Sequence, residues 1–130
     1  MEGMVTSLNF EVKYTLAFCL NDNQVLMLHR KRPPNINLWN GLGGKIEEGE
    51  TPHQNVVREL EEEAGVKLTP NKHSYKGVVK WNNIDPTNKK VVIGGTNLFL
   101  FHVDARTARL INYDSVEGQL AWKPTDWVSD

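Results

Sequence analysis

Residues 44–66 read GKIEEGETPHQNVVRELEEEAGV and carry seven acidic side chains within 23 positions. Three of these, Glu59, Glu62 and Glu63, follow an i, i+3, i+4 spacing. On a helix, that spacing puts the carboxylates on one face, with Cβ atoms roughly 5–6 Å apart. Like charges so arranged destabilise an isolated helix, and a hard cation such as Mg²⁺, which takes carboxylate oxygens and substrate phosphates, would offset the repulsion. The stretch therefore predicts a helix with a cation-binding face.

The same stretch carries signals for both ends of this helix. Thr51 is a favourable N-cap, Pro52 stands at N1, and Gln54 at N3 completes a capping box. An apolar stripe at i, i+4, i+8 lies on a different side of the helix and consists of Val56, Leu60 and Ala64. Gly65 is suited to the C′ position. The sequence predicts a helix over residues 51–64.

Strand-like segments surround this helix. They cover residues 13–20, 24–30, 74–81 and 95–103, with a shorter one at 120–123. Turn signals lie at 21–23 and 85–88, and Pro33-Pro34-Asn35 begins a loop. Strands outnumber helices, and only one long helix is predicted. This pattern indicates an α+β fold with a mixed sheet rather than a regular βαβ array.

Length and composition exclude several classes of protein. The chain has 130 residues, 39% of them apolar and 24% charged, which is typical of one globular domain over residues 1–130. A net charge of −1 argues against nucleic-acid polymers and acidic membranes as partners. Cys19 is the single cysteine, so no intramolecular disulfide can form, which suits the cytoplasm. No apolar run approaches the ~18 residues of a membrane span.

The fixed positions of the opening stretch match the motif of a known family. Gly44, Glu50, residues 58–60, residues 62–63 and residues 65–66 have the spacing GX5EX7REUXEEXGU, in which U is a bulky aliphatic residue. The chain thus resembles the Nudix box at all nine fixed positions, a far more specific match than a lone glycine motif. The neighbouring residues 38–45 are similar to the MutT branch of that family.

The resemblance implies a fold and an activity. The Nudix fold is a mixed sheet with the Nudix helix packed against it and a second, C-terminal helix, which a chain stopping at Asp130 is expected to lack. Nudix enzymes cleave a nucleoside diphosphate linked to another group, X, using Mg²⁺ or Mn²⁺. The favoured expectation is conversion of a (deoxy)nucleoside triphosphate such as 8-oxo-dGTP to the monophosphate and pyrophosphate. Hydrolysis of ADP-ribose or another nucleoside diphosphate-X compound, and a non-catalytic nucleotide-binding module, remain open.

The resemblance also implies roles for individual residues. Metal ligands are expected to be Glu59, Glu62, Glu63, the carbonyl of Gly43, and an additional Glu117. Metal-activated water needs a carboxylate to take its proton, and Glu62, Glu59 and Glu117 are the candidates. A structural ion pair is expected between Glu50 and Arg58.

Substrate contacts are expected from four further residues. Arg30, in the basic run at 29–32, and Lys45 are candidates for the phosphates, although such runs are also common in solvated loops. Asn40 is either a contact to the purine edge or a turn residue before Gly41. Trp81 is either a stacking partner for the base or a packing residue. Without a second helix, one sheet face would be exposed, which makes a homo-oligomer a further expectation.

Overall fold

A computed structural model describes residues 11–32, 37–115 and 117–126 of the chain. The strands within these ranges are β1 (Val12–Asn21), β2 (Gln24–Arg30), β3 (Trp39–Asn40), β4 (Tyr75–Ile84), β5 (Val91–His102), β6 (Asp114–Ser115) and β7 (Gly118–Pro124). The helices there are α1 (Pro52–Ala64) and α2 (Ala105–Ala108). The sheet has the order β4-β5-β1-β2-β7-β6, with β3 paired to β2. β1 and β5 run parallel whereas the other pairs are antiparallel, which confirms the predicted α+β fold with a mixed sheet.

Helix α1 has the predicted ends. The Thr51 side chain accepts a hydrogen bond from the Gln54 amide at 3.1 Å, and the Gln54 side chain accepts one from the Thr51 amide at 2.9 Å. At the other end, Gly65 adopts φ 74°, and its amide donates to the carbonyl of Glu61 at 2.9 Å. A left-handed residue is readily provided by glycine, and it stops the helix there.

The apolar stripe of α1 packs on one face of the sheet. Val56, Leu60 and Ala64 are all at most 1% exposed and join a core cluster with sheet residues that include Leu28 and Phe99. Cys19 lies in the same cluster, where burial raises the pKa of its thiol to about 12. The thiol is therefore protonated at neutral pH and serves as a small apolar side chain.

The sheet opens between β1 and β2, and this opening forms the site. The two strands pair only at the hairpin end, from Leu20↔Val25 to Asn21↔Gln24. Farther from the turn, residues 42–46 lie beside β1 instead. The Thr15 amide donates to the Gly44 carbonyl at 2.9 Å, and the Ala17 amide donates to the Leu42 carbonyl at 2.7 Å. Residues 42–46, the glycine-rich passage, are thereby held at the centre of the sheet and alongside α1.

The structure extends one hairpin and adds a short helix. The predicted strands at 74–81 and 95–103 are too short at the turn end, because pairs such as Asn82↔Ile93 and Ile84↔Val91 continue the ladder. Asparagines are poor strand formers, but these lie on an exposed hairpin where cross-strand pairing decides. The unpredicted α2 is capped by Asp104, whose carboxylate accepts from the Thr107 amide at 2.8 Å.

Two predictions fall outside the described residues. These are the loop at residues 33–35 and the expectation about a C-terminal helix after β7, which concerns residues 127–130. In the described part of the chain, neither helix has the length and apolar character needed to span a bilayer.

Candidate active site

A cavity of about 790 Å³ lies where β1, the glycine-rich passage and α1 meet. This volume is in the range of small-molecule and cofactor sites. The structure brings most of the predicted site residues to its walls, namely Arg30, Asn40, Gly43, Lys45, Arg58, Glu59, Glu62, Glu63 and Glu117. The acidic side chains come from α1 and from the turn before β7, while Arg30 and Lys45 come from β2 and the passage.

Trp81 is not among the lining residues of this cavity. Its ring covers Gly94, where an added Cβ would collide with it, and its Nε1 donates to the Thr96 hydroxyl at 3.1 Å. It lines a neighbouring cavity of about 320 Å³, and the two cavities share Tyr14, whose ring centroid is 6.2 Å from that of Trp81. Trp81 does not line the main cavity, so its stacking on a base stays a prediction.

Glu63 is the most deeply placed of the helix carboxylates. The residue is 4% exposed and accepts a hydrogen bond from the Gly43 amide at 2.9 Å. Its pKa is raised to about 8, mainly by burial; the Gly43 hydrogen bond opposes this rise, and the charges of Glu59 and Glu117 contribute to it. Burial likewise raises the pKa of Glu59. For both carboxylates, the cost of burial therefore outweighs the nearby positive charge, which comes from Arg58 at 3.4 Å from Glu59 and from Arg30 near Glu63.

Arg58 makes four unequal ion pairs along the rim, with Glu50 and Glu62 at the shorter distances and with Glu59 at 3.4 Å and Glu47 at 3.8 Å. Its Nε lies 2.7 Å from Glu50 Oε2, and its Nη2 lies 3.2 Å from Glu50 Oε1, so this pair is bidentate. The hydrogen bond from Arg58 lowers the pKa of Glu50 to about 2. Arg58 Nη1 also lies 3.2 Å from both oxygens of Glu62, whose side chain is 59% exposed. Glu50 is thus held firmly, and Glu62 loosely.

Glu117 reaches the cavity from the opposite wall. Its backbone carbonyl accepts from the Lys31 amide at 3.0 Å, which anchors it beside the end of β2. Its carboxylate lies 3.4 Å from Arg30 Nη2 and 3.9 Å from Arg32 Nη1. The basic run at 29–32 therefore places positive charges beside Glu117, a candidate metal ligand. Its Arg30 also lines the cavity.

The donor set fits a hard divalent cation. Within the described ranges, no three His, Cys, Asp or Glu side chains already converge tightly enough to hold a metal. The carboxylates instead accept hydrogen bonds from the protein. Glu62 accepts from the Arg58 guanidinium, and Glu63 accepts from the Gly43 amide. Yet Glu63 is buried and Glu59 half-buried, and the raised pKa values of both carboxyl groups mean that a bound cation would stabilise their ionised forms. Oxygen-rich sets of this kind are what Mg²⁺ prefers. Glu59 also fills the space beside Gly44 that a Cβ would occupy.

Sequence reasoning missed several residues of the site. The cavity is also lined by Tyr14, Thr15, Leu16, Gly41, Leu42, Gly44 and Glu47. Beneath it, Asn55 is fully buried and bonded to the Thr15 side chain. A signal for Asn55 was present, because 55, 59 and 63 follow i, i+4, i+8 and continue the acidic face toward the start of α1. Thr15, similarly, is polar within an apolar strand.

Comparison with known proteins decides the family. The NUDIX domain model matches residues 12–129, which is nearly the whole chain. The chain belongs to the Nudix family. The fold and box predicted from residues 44–66 are thereby confirmed, since this Nudix chain also has the mixed sheet and main helix of MutT structures.

Relatives of this Nudix chain include MutT-type proteins. An oxidized purine nucleoside triphosphate hydrolase of Mus musculus is 44% identical over 55 residues, covering 42% of this chain and only 35% of the mouse protein. An 8-oxo-dGTP diphosphatase of Proteus vulgaris is 33% identical over 90 residues, 57% of this chain and 80% of that enzyme. Among solved structures, a MutT protein from Bacillus halodurans has a TM-score of 0.67 and 28% identity, covering 88% of this chain and 69% of its own.

Proposed function

We propose that this Nudix protein is a Mg²⁺-dependent pyrophosphohydrolase that converts a (deoxy)nucleoside triphosphate to the monophosphate and pyrophosphate. One observation carries the proposal: a cavity of about 790 Å³ has helix carboxylates on one wall and the cations Arg30 and Lys45 on others. Phosphoryl chemistry needs this pairing, because the phosphates carry negative charge and water must be activated beside them.

The carboxylates of α1 have two roles at the reacting phosphate, which are to bind the metal and to accept a proton from water. Glu59, Glu62 and Glu63, with the Gly43 carbonyl, would hold the divalent cation; Mn²⁺ is an alternative to Mg²⁺. When bound, that cation neutralises phosphate charge and lowers the pKa of water. Glu62 is the most exposed of the three and is the favoured acceptor of the water proton. Glu59 and Glu117 are the other candidates, and clustered carboxylates titrate as a coupled set.

The remaining walls would bind the rest of the nucleotide. Arg30 and Lys45 are suited to phosphate oxygens, because both carry positive charge at the cavity. Asn40 lines the same cavity, and its side-chain amide donates to the Leu38 carbonyl at 3.2 Å. A rotation of that amide would offer donor and acceptor to a purine edge. An oxidised purine such as that of 8-oxo-dGTP is the favoured base, with support from the names of the mouse and Proteus relatives.

A nucleotide panel tests this function. The protein is incubated with Mg²⁺ and dGTP, 8-oxo-dGTP or ADP-ribose, and the products are separated by ion-exchange chromatography. We expect a monophosphate with pyrophosphate from the triphosphates, and faster turnover of 8-oxo-dGTP than of dGTP. If only ADP-ribose is cleaved, giving AMP and ribose phosphate, then ADP-ribose would replace nucleoside triphosphates as the proposed substrate class. Binding without turnover of any compound would overturn the assignment as an enzyme.

A further inference from the structure

A buried polar network lies directly beneath the cavity. Asn55 is fully buried on α1, and Thr15 on β1 is 3% exposed. The Thr15 hydroxyl donates to Asn55 Oδ1. Asn55 Nδ2 donates to the Lys45 carbonyl and to Glu50 Oε1, each at 2.9 Å. One amide side chain therefore joins a strand, the glycine-rich passage and the residue that pairs with Arg58.

Each hydrogen-bond donor of this network has a defined acceptor. A primary amide has two N–H donors, and both donors of Asn55 have acceptors. The Thr15 hydroxyl, having donated to Asn55, accepts from the Gly44 amide at 3.4 Å. Among the described residues, no buried side-chain N or O lacks a partner. An alternative placement of the passage would leave buried polar atoms without hydrogen-bond partners, which is unfavourable because their lost hydration would not be replaced.

The position of this passage determines where the helix carboxylates can lie. Gly43 donates its amide to Glu63, and Gly44 leaves the space that the Glu59 carboxylate fills. A shift of residues 43–45 relative to α1 would break the first contact and close the second space. The apolar stripe of α1 already packs the helix on the sheet, so packing alone does not require Asn55 at this point.

We propose that Thr15 and Asn55 are positioning residues that hold residues 43–45 at the separation from α1 that gives the carboxylates their affinity for Mg²⁺. The inference rests on the proposed function, because it assumes that Glu59 and Glu63 bind the cation. It assigns neither residue a contact with substrate. Groups that orient metal ligands in this way typically change metal affinity by about 10–100-fold when removed.

The matched pair Thr15→Val and Thr15→Ser tests the proposal. Valine removes the hydroxyl at nearly constant shape, whereas serine keeps it. Mn²⁺ binding is measured by calorimetry without nucleotide, and hydrogen exchange is measured at the amides of residues 43–45. We expect Thr15→Val to weaken Mn²⁺ binding about 10-fold or more and to speed exchange there, while Thr15→Ser stays near the unaltered protein. If Thr15→Val does not fold, Mn²⁺ binding and hydrogen exchange are measured on Asn55→Ser instead, with the same expected changes. A serine hydroxyl is too short to replace the amide.

The outcomes separate this inference from the proposed function. A folded Thr15→Val protein with unchanged Mn²⁺ affinity and unchanged exchange overturns the positioning role. Equal weakening by Thr15→Ser also overturns it, because the hydroxyl would then not be the cause. Failure of the unaltered protein to bind Mn²⁺ at all contradicts the proposed function itself. A rise in the Mn²⁺ Kd together with faster exchange, in the valine variant alone, supports the inference.

Discussion

Arg58 holds Glu62 through a single nitrogen, with Nη1 at 3.2 Å from each carboxylate oxygen. The same guanidinium makes its shortest contact, 2.7 Å, to Glu50 through Nε. An i, i+4 ion pair with an exposed carboxylate contributes only about 0.3–0.5 kcal/mol. Glu62 can therefore leave Arg58 for a cation or a water at small cost, while Glu50 keeps Arg58 in place.

The first prediction concerns Glu62→Gln. We expect turnover of the preferred triphosphate to fall by about 10²–10⁴-fold, because an amide cannot accept the water proton. The melting temperature should change by less than about 2 °C, since only a weak ion pair is lost. Pyrophosphate release and thermal denaturation measure the two effects.

Glu61→Gln is the matched control for that experiment. Glu61 is an exposed neighbour on the same helix and does not line the cavity. It should retain nearly full activity. A well-folded Glu62→Gln protein with the activity of the Glu61 variant would contradict the assigned role of Glu62.

The second prediction concerns Glu50→Gln and acid stability. Arg58 lowers the pKa of Glu50 to about 2 in the folded protein, below its ordinary value of 4.5. The stability from this carboxylate is therefore present above the ordinary pKa and is lost as pH falls through about 2. At pH 7 we expect Glu50→Gln to lower the free energy of unfolding by about 2 kcal/mol. Urea denaturation at several pH values should show this difference shrinking in acid; a constant difference would argue against the ion pair.

The third prediction concerns the free energy of unfolding without metal. Burial raises the folded pKa of Glu63 to about 8 from 4.5, so its stabilising effect is present below the ordinary pKa and is lost as pH rises through about 8. In EDTA, we expect stability to decline over that window, and Glu63→Gln to make the decline smaller. Some slope should remain, because the pKa of Glu59 is raised too.

Added Mg²⁺ supplies the complementary measurement. A cation that binds the ionised carboxylates favours their deprotonated forms, so the decline of the unaltered protein should be smaller in Mg²⁺ than in EDTA. Chemical denaturation at pH values on both sides of the window measures it. An identical decline in the Glu63→Gln protein would show that another group titrates.

The fourth prediction compares two neighbouring glycines. A Cβ at Gly44 would collide with the Glu59 carboxylate, which is the movable end of a side chain. Gly44→Ala should therefore fold, with weaker Mg²⁺ activation of turnover because Glu59 is displaced. A Cβ at Gly43 would collide with the Thr15 carbonyl, and φ is +124° there. Gly43→Ala should lose much of its stability, because backbone must move. Circular dichroism melts with Mg²⁺ titrations distinguish the two; equal stability would contradict this account.

The features that sequence predicted well are those with local causes. The limits of α1 follow from Thr51, Gln54 and Gly65, whose contacts span only a few residues. Strand β2 was predicted with its observed limits, Gln24–Arg30, because turn residues precede it. The shared placement of Glu59, Glu62 and Glu63 along the cavity follows from helical spacing.

The features that sequence missed depend on distant contacts. Thr15 and Asn55 are 40 positions apart, and their hydrogen bond arises only when residues 42–46 lie beside β1. Strand β5 begins at Val91, four residues before the predicted start, because residues 91–93 pair with β4 and their β-branched side chains favour a strand, whereas the prediction began after them. The place of Trp81 likewise follows from its contact with Gly94 across the hairpin. Such cross-strand relationships leave little periodic signal along the chain.

The parallel pairing of β1 with β5 has a consequence for synthesis on the ribosome. Leu16 pairs beside Leu98, so the partner of β1 is made about 80 residues later, which takes roughly 4–16 s at ~5–20 residues per second. From the addition of residue 64 until β5 is made, the Nudix helix exists without the completed sheet that buries its apolar stripe. Nascent chains that stop before β5 should accordingly be held by chaperones or degraded, since they carry the glutamates of the site but no folded cavity.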